Sequence, residues 1–138
     1  MSIAVVVLTF NRPHLLQRCL DNVLARTSDL TTEIVIVDNA STDDTAEVLG
    51  RFRHPRARIV RNRRNIGQSA YRSAFAQTAA DHLIELDDDV VDAPEEWDRA
   101  LLGAFERLSS VGFLAANLVD DPNDAGHRIY ADTLAGLL

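Results

Sequence analysis

Two segments of this chain contain unbroken runs of apolar residues, mostly β-branched, and they limit the possible folds more than any other feature. They read "SIAVVVL" (Ser2 to Leu8) and "TEIVIVD" (Thr32 to Asp38). A strand with one solvated face alternates apolar and polar residues, so these runs predict strands buried on both faces of a parallel sheet. Further strands are predicted at Ala57 to Asn62, Asp81 to Asp87 and Val111 to Val119.

Helical patterns separate the predicted strands. Asn11 is placed to cap a helix that carries Pro13 in its first turn. A second helix is predicted to begin with a capping box of Ser41 and Asp44. A third follows "NIGQ", and a fourth begins at Pro94. Strands that alternate with helices predict an α/β fold of three layers, α/β/α, around a mainly parallel sheet.

Length and charge narrow the class of protein. The 138 residues fit one domain, which we place at residues 1–138. The single cysteine, Cys19, excludes an internal disulfide. No apolar run approaches the roughly 20 residues of a membrane span and no signal peptide is evident, so we expect a cytoplasmic protein. A net charge of −7 argues against nucleic-acid binding.

Half of the basic residues lie in one stretch. Seven of the 14 occur in "RFRHPRARIVRNRR", Arg51 to Arg64, and all are arginine. One interpretation is a solvated helix end and loop. The other is a surface for an anionic partner, either phospholipid at the inner membrane face or another subunit.

Polar residues follow three of the predicted strands. They are Thr9 and Asn11, then Asp38 and Asn39, then Asp87, Asp88 and Asp89. In open α/β sheets, ligands bind at the carboxyl ends of the strands. Because side chains alternate along an extended chain, Asp87 and Asp89 point the same way, and oxygen ligands suit Mg²⁺ or Mn²⁺. The alternative is that the aspartates cap the next helix or form a charged turn.

Four segments, in this order, resemble the motifs of family 2 glycosyltransferases of the GT-A fold. They are "VVVLTFNRPHLLQRCLDNVLART", "EIVIVDNASTDDT", "RNRRNIGQSAYRSAF" and "HLIELDDDVV", and they cover about the first 90 residues. The resemblance implies a fold of the GT-A, nucleotide-diphospho-sugar transferase type. It also implies transfer of a sugar, with inversion, from a UDP-, dTDP- or GDP-linked donor to an acceptor hydroxyl.

The resemblance further implies a nucleotide-sugar site and a cation. The nucleotide-sugar-binding residues that it implies are Thr9, Asn11, Asp38, Asn39, Asn65, Gly67, Arg72, Asp87 and Asp88. Asp87 and Asp89 match the family's DxD pair and would hold Mn²⁺ or Mg²⁺. Family members often carry a second acid where this chain has Asn39, so the base of the donor stays open.

The chain departs from the family beyond the fifth predicted strand. The family's general base and acceptor-binding residues usually lie in a second half, and "HRIYADTLAGLL" has no matching acidic motif. We therefore expect either a fragment of a longer enzyme or a short form, apparently truncated, and we assign no general base.

Three hypotheses about function follow from that departure. The first is a metal-dependent glycosyltransferase, and the second is a non-catalytic nucleotide-sugar binding module that needs a partner for activity. A nucleotidyltransferase ranks well behind, because its glycine- and lysine-containing loop is missing. An apolar surface left open by a missing half also predicts self-association.

Overall fold

The computed structural model describes residues 1–116, 118–120 and 126–129. Its strands are β1 (Ile3–Thr9), β2 (Thr31–Asp38), β3 (Ala57–Arg61), β4 (His82–Asp87), β5 (Val90–Asp92), β6 (Val119–Asp120) and β7 (His127–Arg128). Its helices are α1 (Pro13–Asn22), α2 (Thr45–Arg51), α3 (Ser69–Phe75) and α4 (Trp97–Arg107), with a 3₁₀ turn at Leu24–Arg26.

Four strands form one parallel sheet in the order β3-β2-β1-β4. The register aligns Thr9 of β1 with Asp38 of β2, and it aligns Leu8 of β1 with Asp87 of β4. The carboxyl ends of these strands are therefore level with one another. A smaller sheet, in the order β5-β7-β6, lies beyond the end of β4. The predicted mainly parallel α/β sheet is confirmed.

Helices cover both faces of the parallel sheet. On one face, Val5 and Val7 pack with Leu16 of α1, Leu49 of α2 and Trp97 of α4. On the other face, residues of β1 and β2 pack against α3; this second cluster contains Val6, Val35, Val37, Ala70, Tyr71 and Ala74. Because β1 is buried on both sides, its side chains need no polar alternation, and each contributes about 1.5–3 kcal/mol of burial free energy. The three-layer arrangement is confirmed.

A buried carboxylate joins α4 to the loop before β2. Asp98 has no exposed surface. It accepts hydrogen bonds from the Ser28 amide at 2.8 Å, the Ser28 hydroxyl at 2.8 Å and the Thr31 hydroxyl at 2.6 Å. Three donors offset the cost of burying this charge. The contact fixes the start of α4 against the amino end of the sheet.

Both predicted helix caps are wrong. The residue at the start of α1 is Arg12, which forms no capping side-chain bond. Asn11 instead has a left-handed φ of 51° and bonds through its side chain to Thr42. The Ser41 hydroxyl accepts the Asn11 amide N–H at 3.0 Å, and α2 begins only at Thr45. In both cases a contact between two loops replaces the local cap that the sequence pattern predicted.

The later elements also differ from the prediction. The fourth helix begins at Trp97 and not at Pro94, because Val90–Asp92 forms a strand and Glu96 is left-handed with φ 54°. The predicted strand from Val111 to Val119 is wrong over residues 111–116, which form no strand, and residue 117 lies outside the described residues. Apolar composition favours burial, but a strand also needs a hydrogen-bonding neighbour, and Phe113 is 75% exposed. Within the described ranges, the helices are too short and too polar to cross a membrane.

Candidate functional site

The carboxyl edge of the parallel sheet brings together the ends of β1, β2 and β4. The Asn39 amide donates to the Thr9 carbonyl at 2.9 Å, and the Asn62 amide donates to the Asp38 carbonyl at 2.9 Å. These backbone bonds continue the strand pairing into the loops. The polar residues predicted at three separate strand ends therefore lie along one edge.

Asp88 is the buried member of the acidic cluster and is only 4% exposed. It accepts the Thr9 hydroxyl at 2.8 Å and an Arg12 guanidinium N–H at 3.2 Å. Burial raises the pKa of Asp88, and the hydrogen bond from Thr9 and the charge of Arg12 oppose that rise. The contacts with Thr9 and Arg12 therefore hold the Asp88 side chain toward the protein interior. Asp88 is more tightly restrained than Asp87 or Asp89.

Asp87 is exposed and is held by a tyrosine. The Tyr71 hydroxyl lies 2.9 Å from a carboxylate oxygen of Asp87 and 3.1 Å from the Leu86 carbonyl. Burial raises the pKa of Tyr71, and the charge of Asp87 raises it further, so the hydroxyl stays protonated and donates. Tyr71 therefore positions Asp87 and leaves its second oxygen free of that bond.

Asp88 and Asp89 form the turn between β4 and β5, so the extended backbone predicted from Asp87 to Asp89 is wrong and the alternative of a charged turn is the observed one. Asp89 is held by longer contacts. Its side chain is 22% exposed, and its Oδ2 lies 3.5 Å from an Arg12 nitrogen and 3.6 Å from Nε2 of His127. These distances exceed the roughly 2.7–2.9 Å of a charge-assisted hydrogen bond. Beneath the cluster, burial raises the pKa of the Cys19 thiol, and the charges of Asp88, Asp89 and Asp87 add to that rise. The negative field of the cluster thus extends into the core.

Asn39 shapes the loop that follows β3. Its side chain is buried. Its Oδ1 accepts hydrogen bonds from the backbone N–H of Ile66 at 3.0 Å and from the side-chain Nδ2 of Asn62 at 3.1 Å. Its Nδ2 donates to Asn65 Oδ1 at 2.8 Å and to the Gly67 carbonyl at 3.3 Å. Gly67 has φ 60°, a conformation that favours glycine. Asn39 and Asn65 therefore act together as supports of the loop.

Two more predicted residues connect loops at the same edge. Asp38 is 4% exposed, and its Oδ1 accepts the Ser41 amide at 2.9 Å. Asn11 is exposed, and its Oδ1 accepts the Thr42 amide at 2.8 Å. Arg72 is exposed in the last turn of α3, and no hydrogen bond joins it to the other site residues that the structure describes. Direct contacts among the predicted residues join Thr9 to Asp88 and Asn39 to Asn65 and Gly67. The side chains of Asn11, Asp38 and Asp87 are held instead by Thr42, Ser41 and Tyr71.

Sequence reasoning missed Arg12, Tyr71 and His127 as site residues. Arg12 directly follows Asn11, so its place in the motif was a usable signal. Tyr71 lies in an apolar helical pattern, which gives no sign of a contact with Asp87. His127 is 38 positions from Asp89, and nothing local in the sequence places the two side by side.

The arginine run does not form one surface. Arg56 binds the Ser28 carbonyl at 2.7 Å, and Arg58 pairs with Glu33 at 2.8 Å, so both have structural partners. The exposed members divide between the two ends of β3. Arg51 and Arg53 precede the strand at its amino end; Arg61, Arg63 and Arg64 end or follow it at the site edge.

The donor atoms at this edge fit a hard divalent cation. Asp87 and Asp89 supply carboxylate oxygens, which Mg²⁺ and Mn²⁺ favour. Among the described residues, no group of three histidine, cysteine, aspartate or glutamate side chains could hold a metal ion. A cation bound at this edge would therefore need further oxygen ligands, from a bound phosphate or from water, as Mg²⁺ commonly has.

Comparison with known proteins identifies the family. The model of glycosyl transferase family 2 matches residues 4–129. The undecaprenyl-phosphate 4-deoxy-4-formamido-L-arabinose transferases of Serratia proteamaculans and Yersinia pestis are each 33% identical to the chain over 125 residues, which is 86% of this chain and 38% of theirs. This chain belongs to glycosyl transferase family 2, and it spans 38% of the length of these curated relatives.

Solved structures support the same fold. A mannosyltransferase from Pyrobaculum calidifontis, in complex with GDP-Man and Mn²⁺, matches with a TM-score of 0.66 and 27% identity over 88% of this chain and 36% of its own. Staphylococcus aureus TarS in complex with UDP-GlcNAc matches with a TM-score of 0.63 and 19% identity over 84% of this chain and 38% of its own, which shows the fold alone. The GT-A type of fold is confirmed, and the chain is truncated relative to these neighbours.

Proposed function

We propose that this chain binds a nucleotide-diphosphate sugar with a divalent cation and supplies the donor half of a glycosyl transfer site. The observation that carries the proposal is the gathering of Asp87, Asp88 and Asp89 at the same carboxyl edge of the parallel sheet as Thr9 and Asp38. Family membership and the GDP-Man and Mn²⁺ complex of a 27% identical neighbour support it.

The proposed transfer moves the sugar, with inversion, to an acceptor nucleophile while the diphosphate departs. Asp87 and Asp89 would hold the cation, which when bound offsets the negative charge that develops on the leaving diphosphate. The loop supported by Asn39 and Asn65 would let the nucleoside approach the backbone closely at Gly67. Asp88, fixed inward by Thr9 and Arg12, would keep the cluster in place. We assign no general base among the described residues.

Titration calorimetry tests the donor site. UDP, GDP and dTDP would each be titrated with Mn²⁺ and with EDTA into the wild type, Asp89→Asn and the control Asp21→Asn, which alters an exposed carboxylate on α1. We expect one nucleotide to bind only with Mn²⁺, to weaken at least tenfold in Asp89→Asn and to be unchanged in Asp21→Asn. Nucleotide binding that ignores both EDTA and Asp89→Asn would contradict the proposal.

A binding module without catalysis is the second candidate, because the chain covers only 38% of relatives that are named as transferases. The two candidates share the donor site and differ in turnover. Release of nucleoside diphosphate from the bound sugar nucleotide, followed over hours, separates them. Slow release that stops with EDTA supports a catalytic chain, and tight binding with no release supports the module.

The acceptor that the relatives' names support is a polyprenyl phosphate at a membrane. Arg61, Arg63 and Arg64 are exposed at the site edge and could meet an anionic headgroup. At roughly 1 kcal/mol per arginine, changing both Arg63 and Arg64 to glutamine should weaken binding to phosphatidylglycerol vesicles about 25-fold. The matched double change of Arg51 and Arg53, at the opposite end of β3, should have little effect. Equal losses in the two variants would refute a site-edge contact with the inner membrane face.

Self-association remains a proposal as well. Leu83 on β4 is 46% exposed and Phe113 is 75% exposed, and β4 ends the sheet on one side. Exposed apolar residues along an open strand edge favour pairing with another chain. Sedimentation should show concentration-dependent association that Leu83→Lys weakens, and a monomer at every concentration would contradict it.

A further inference from the structure

His127 lies directly against the acidic cluster, although it is 38 positions away from Asp89 in the sequence. Its Nε2 is 3.6 Å from Asp89 Oδ2. Its backbone amide donates to the Asp89 carbonyl at 2.7 Å. The side-chain contact is thus backed by a short backbone bond, which places the imidazole at the site edge.

The chain is built to bring β7 this close. Strand β7 pairs in parallel with β5, with His127 opposite Val90. A Cβ added at Gly126 would lie 2.4 Å from a Val91 methyl carbon and 3.0 Å from the Asp89 carbonyl. Any larger residue at position 126 would therefore push His127 away from Asp89.

A second carboxylate orients the ring. Nδ1 of His127 lies 3.0 Å from Asp120 Oδ1 on the neighbouring strand β6. When Nδ1 donates its N–H to Asp120, Nε2 is the ring nitrogen that remains to bind a cation beside Asp89. Metal-binding histidines are commonly held in this way, by a carboxylate on the other ring nitrogen.

We propose that His127 is a ligand of the divalent cation, beside Asp89, with Asp120 holding its ring. This inference rests on the proposed donor site. Two ligands about 2.1 Å from one ion, at angles between 90° and 110°, lie about 3.0–3.5 Å apart, and the 3.6 Å between Nε2 and Oδ2 is close to that range. A cation placed between Nε2 and Oδ2 would thus be within ligand distance of both atoms.

A nitrogen ligand also sets the choice of metal. Mg²⁺ prefers oxygen ligands, whereas affinity for sites with nitrogen ligands rises along the first-row transition metals. His127 therefore favours Mn²⁺ over Mg²⁺. Replacing it by asparagine keeps a donor near the position of Nδ1 for Asp120 and removes Nε2.

Pulsed electron paramagnetic resonance on Mn²⁺ tests the inference directly, because it detects a coordinated ¹⁴N nucleus. Wild type would be measured with Mn²⁺ alone and with Mn²⁺ plus GDP or UDP, next to His127→Asn, Asp120→Asn and the control His14→Asn, an exposed histidine on α1. We expect a ¹⁴N coupling in wild type and in His14→Asn that disappears in His127→Asn. Mn²⁺ affinity should fall about 10- to 100-fold in His127→Asn, and the preference for Mn²⁺ over Mg²⁺ should narrow.

The outcomes separate the two proposals. If Mn²⁺ and nucleotide bind and depend on Asp89, but wild type shows no ¹⁴N coupling, then His127 is not a ligand and the donor site stands. If wild type binds neither Mn²⁺ nor nucleotide, both proposals fail. A missing coupling is read on the wild type, so that outcome does not depend on how a variant folds. A coupling that persists in His127→Asn would also exclude His127 as the ligand.

Discussion

The side chain of Asn39 holds the loop after β3 through four hydrogen bonds, and replacing it by aspartate would reverse two of them. Its orientation is fixed by backbone partners, because Oδ1 accepts the Ile66 N–H at 3.0 Å and Nδ2 donates to the Gly67 carbonyl at 3.3 Å. In Asn39→Asp, an oxygen takes the place of Nδ2. That oxygen then faces two acceptors, Gly67 O and Asn65 Oδ1.

The expected cost follows from burial. Asn39 is only 2% exposed, so water does not replace the lost donors on the new carboxylate. An unsatisfied buried polar group costs about 1–3 kcal/mol, and more when it is charged, so we expect the free energy of unfolding to fall by about 2–4 kcal/mol at pH 7. Asn65 cannot relieve this by turning its amide, because its Oδ1 also accepts the Gly67 N–H at 2.8 Å. At acid pH the deficit should shrink, because a protonated carboxyl regains a donor.

Urea unfolding followed by Trp97 fluorescence measures the effect as a shift in midpoint at constant slope. Asn65→Asp is the matched control. It keeps the Oδ1 that accepts from both Asn39 and Gly67 and is exposed, so it should change stability by less than about 0.5 kcal/mol. If Asn39→Asp unfolds at the wild-type midpoint, or if both variants lose equal stability, the assigned hydrogen bonds are wrong.

Three further variants test other parts of the structure. Asp98→Ala leaves three buried donors without an acceptor and should lower the free energy of unfolding by about 3–5 kcal/mol, with Asp98→Asn losing clearly less in the same urea assay. Tyr71→Phe removes the hydrogen bond at 2.9 Å to Asp87, so Mn²⁺-dependent nucleotide affinity should fall severalfold by calorimetry, and an unchanged affinity would mean that Asp87 needs no support. Asp81 has its pKa lowered by hydrogen bonds from Ser2, so its contribution to stability is present above its unfolded pKa and is lost as pH falls through the folded value. The melting temperature of Asp81→Asn should therefore be lower than that of the wild type at pH 7, and the two temperatures should converge in acid.

The strands of the parallel sheet could be predicted because a strand that is buried on both faces has a mostly apolar local sequence. The runs that form β1 and β2 lack alternation, and the structure ends both within a residue of the predicted bounds. The predicted strand at Val111 to Val119 is wrong over residues 111–116, and the reason lies in strand pairing. Apolar composition alone does not provide a hydrogen-bonding neighbour, and pairing is a property of the whole fold.

The position of the candidate site at the carboxyl edge of the sheet could be predicted from the sequence. The side-chain contacts within it could not. The strand ends located the acids and amides, because parallel strands share one carboxyl edge. The partners of those groups come from other segments: Arg12 reaches Asp88 across 76 positions, and Tyr71 reaches Asp87 from the preceding helix α3. A capping pattern at Asn11 was overridden in the same way, by a contact with Thr42 that is 31 positions away.

The three adjacent carboxylates differ in the contacts that offset their negative charge, and this difference bears on what the cluster can bind. Asp88 is neutralised most, through burial, Thr9 and Arg12; Arg12 is 52% exposed, so water and salt screen its charge. The neutral hydroxyl of Tyr71 supports Asp87 without cancelling its charge, and Asp89 has only contacts of 3.5 Å and longer from side chains. The uncompensated charge therefore lies on Asp87 and Asp89. A divalent cation placed there gains more electrostatic energy than at the inner acid, and it leaves Arg12 free to keep Asp88 in place.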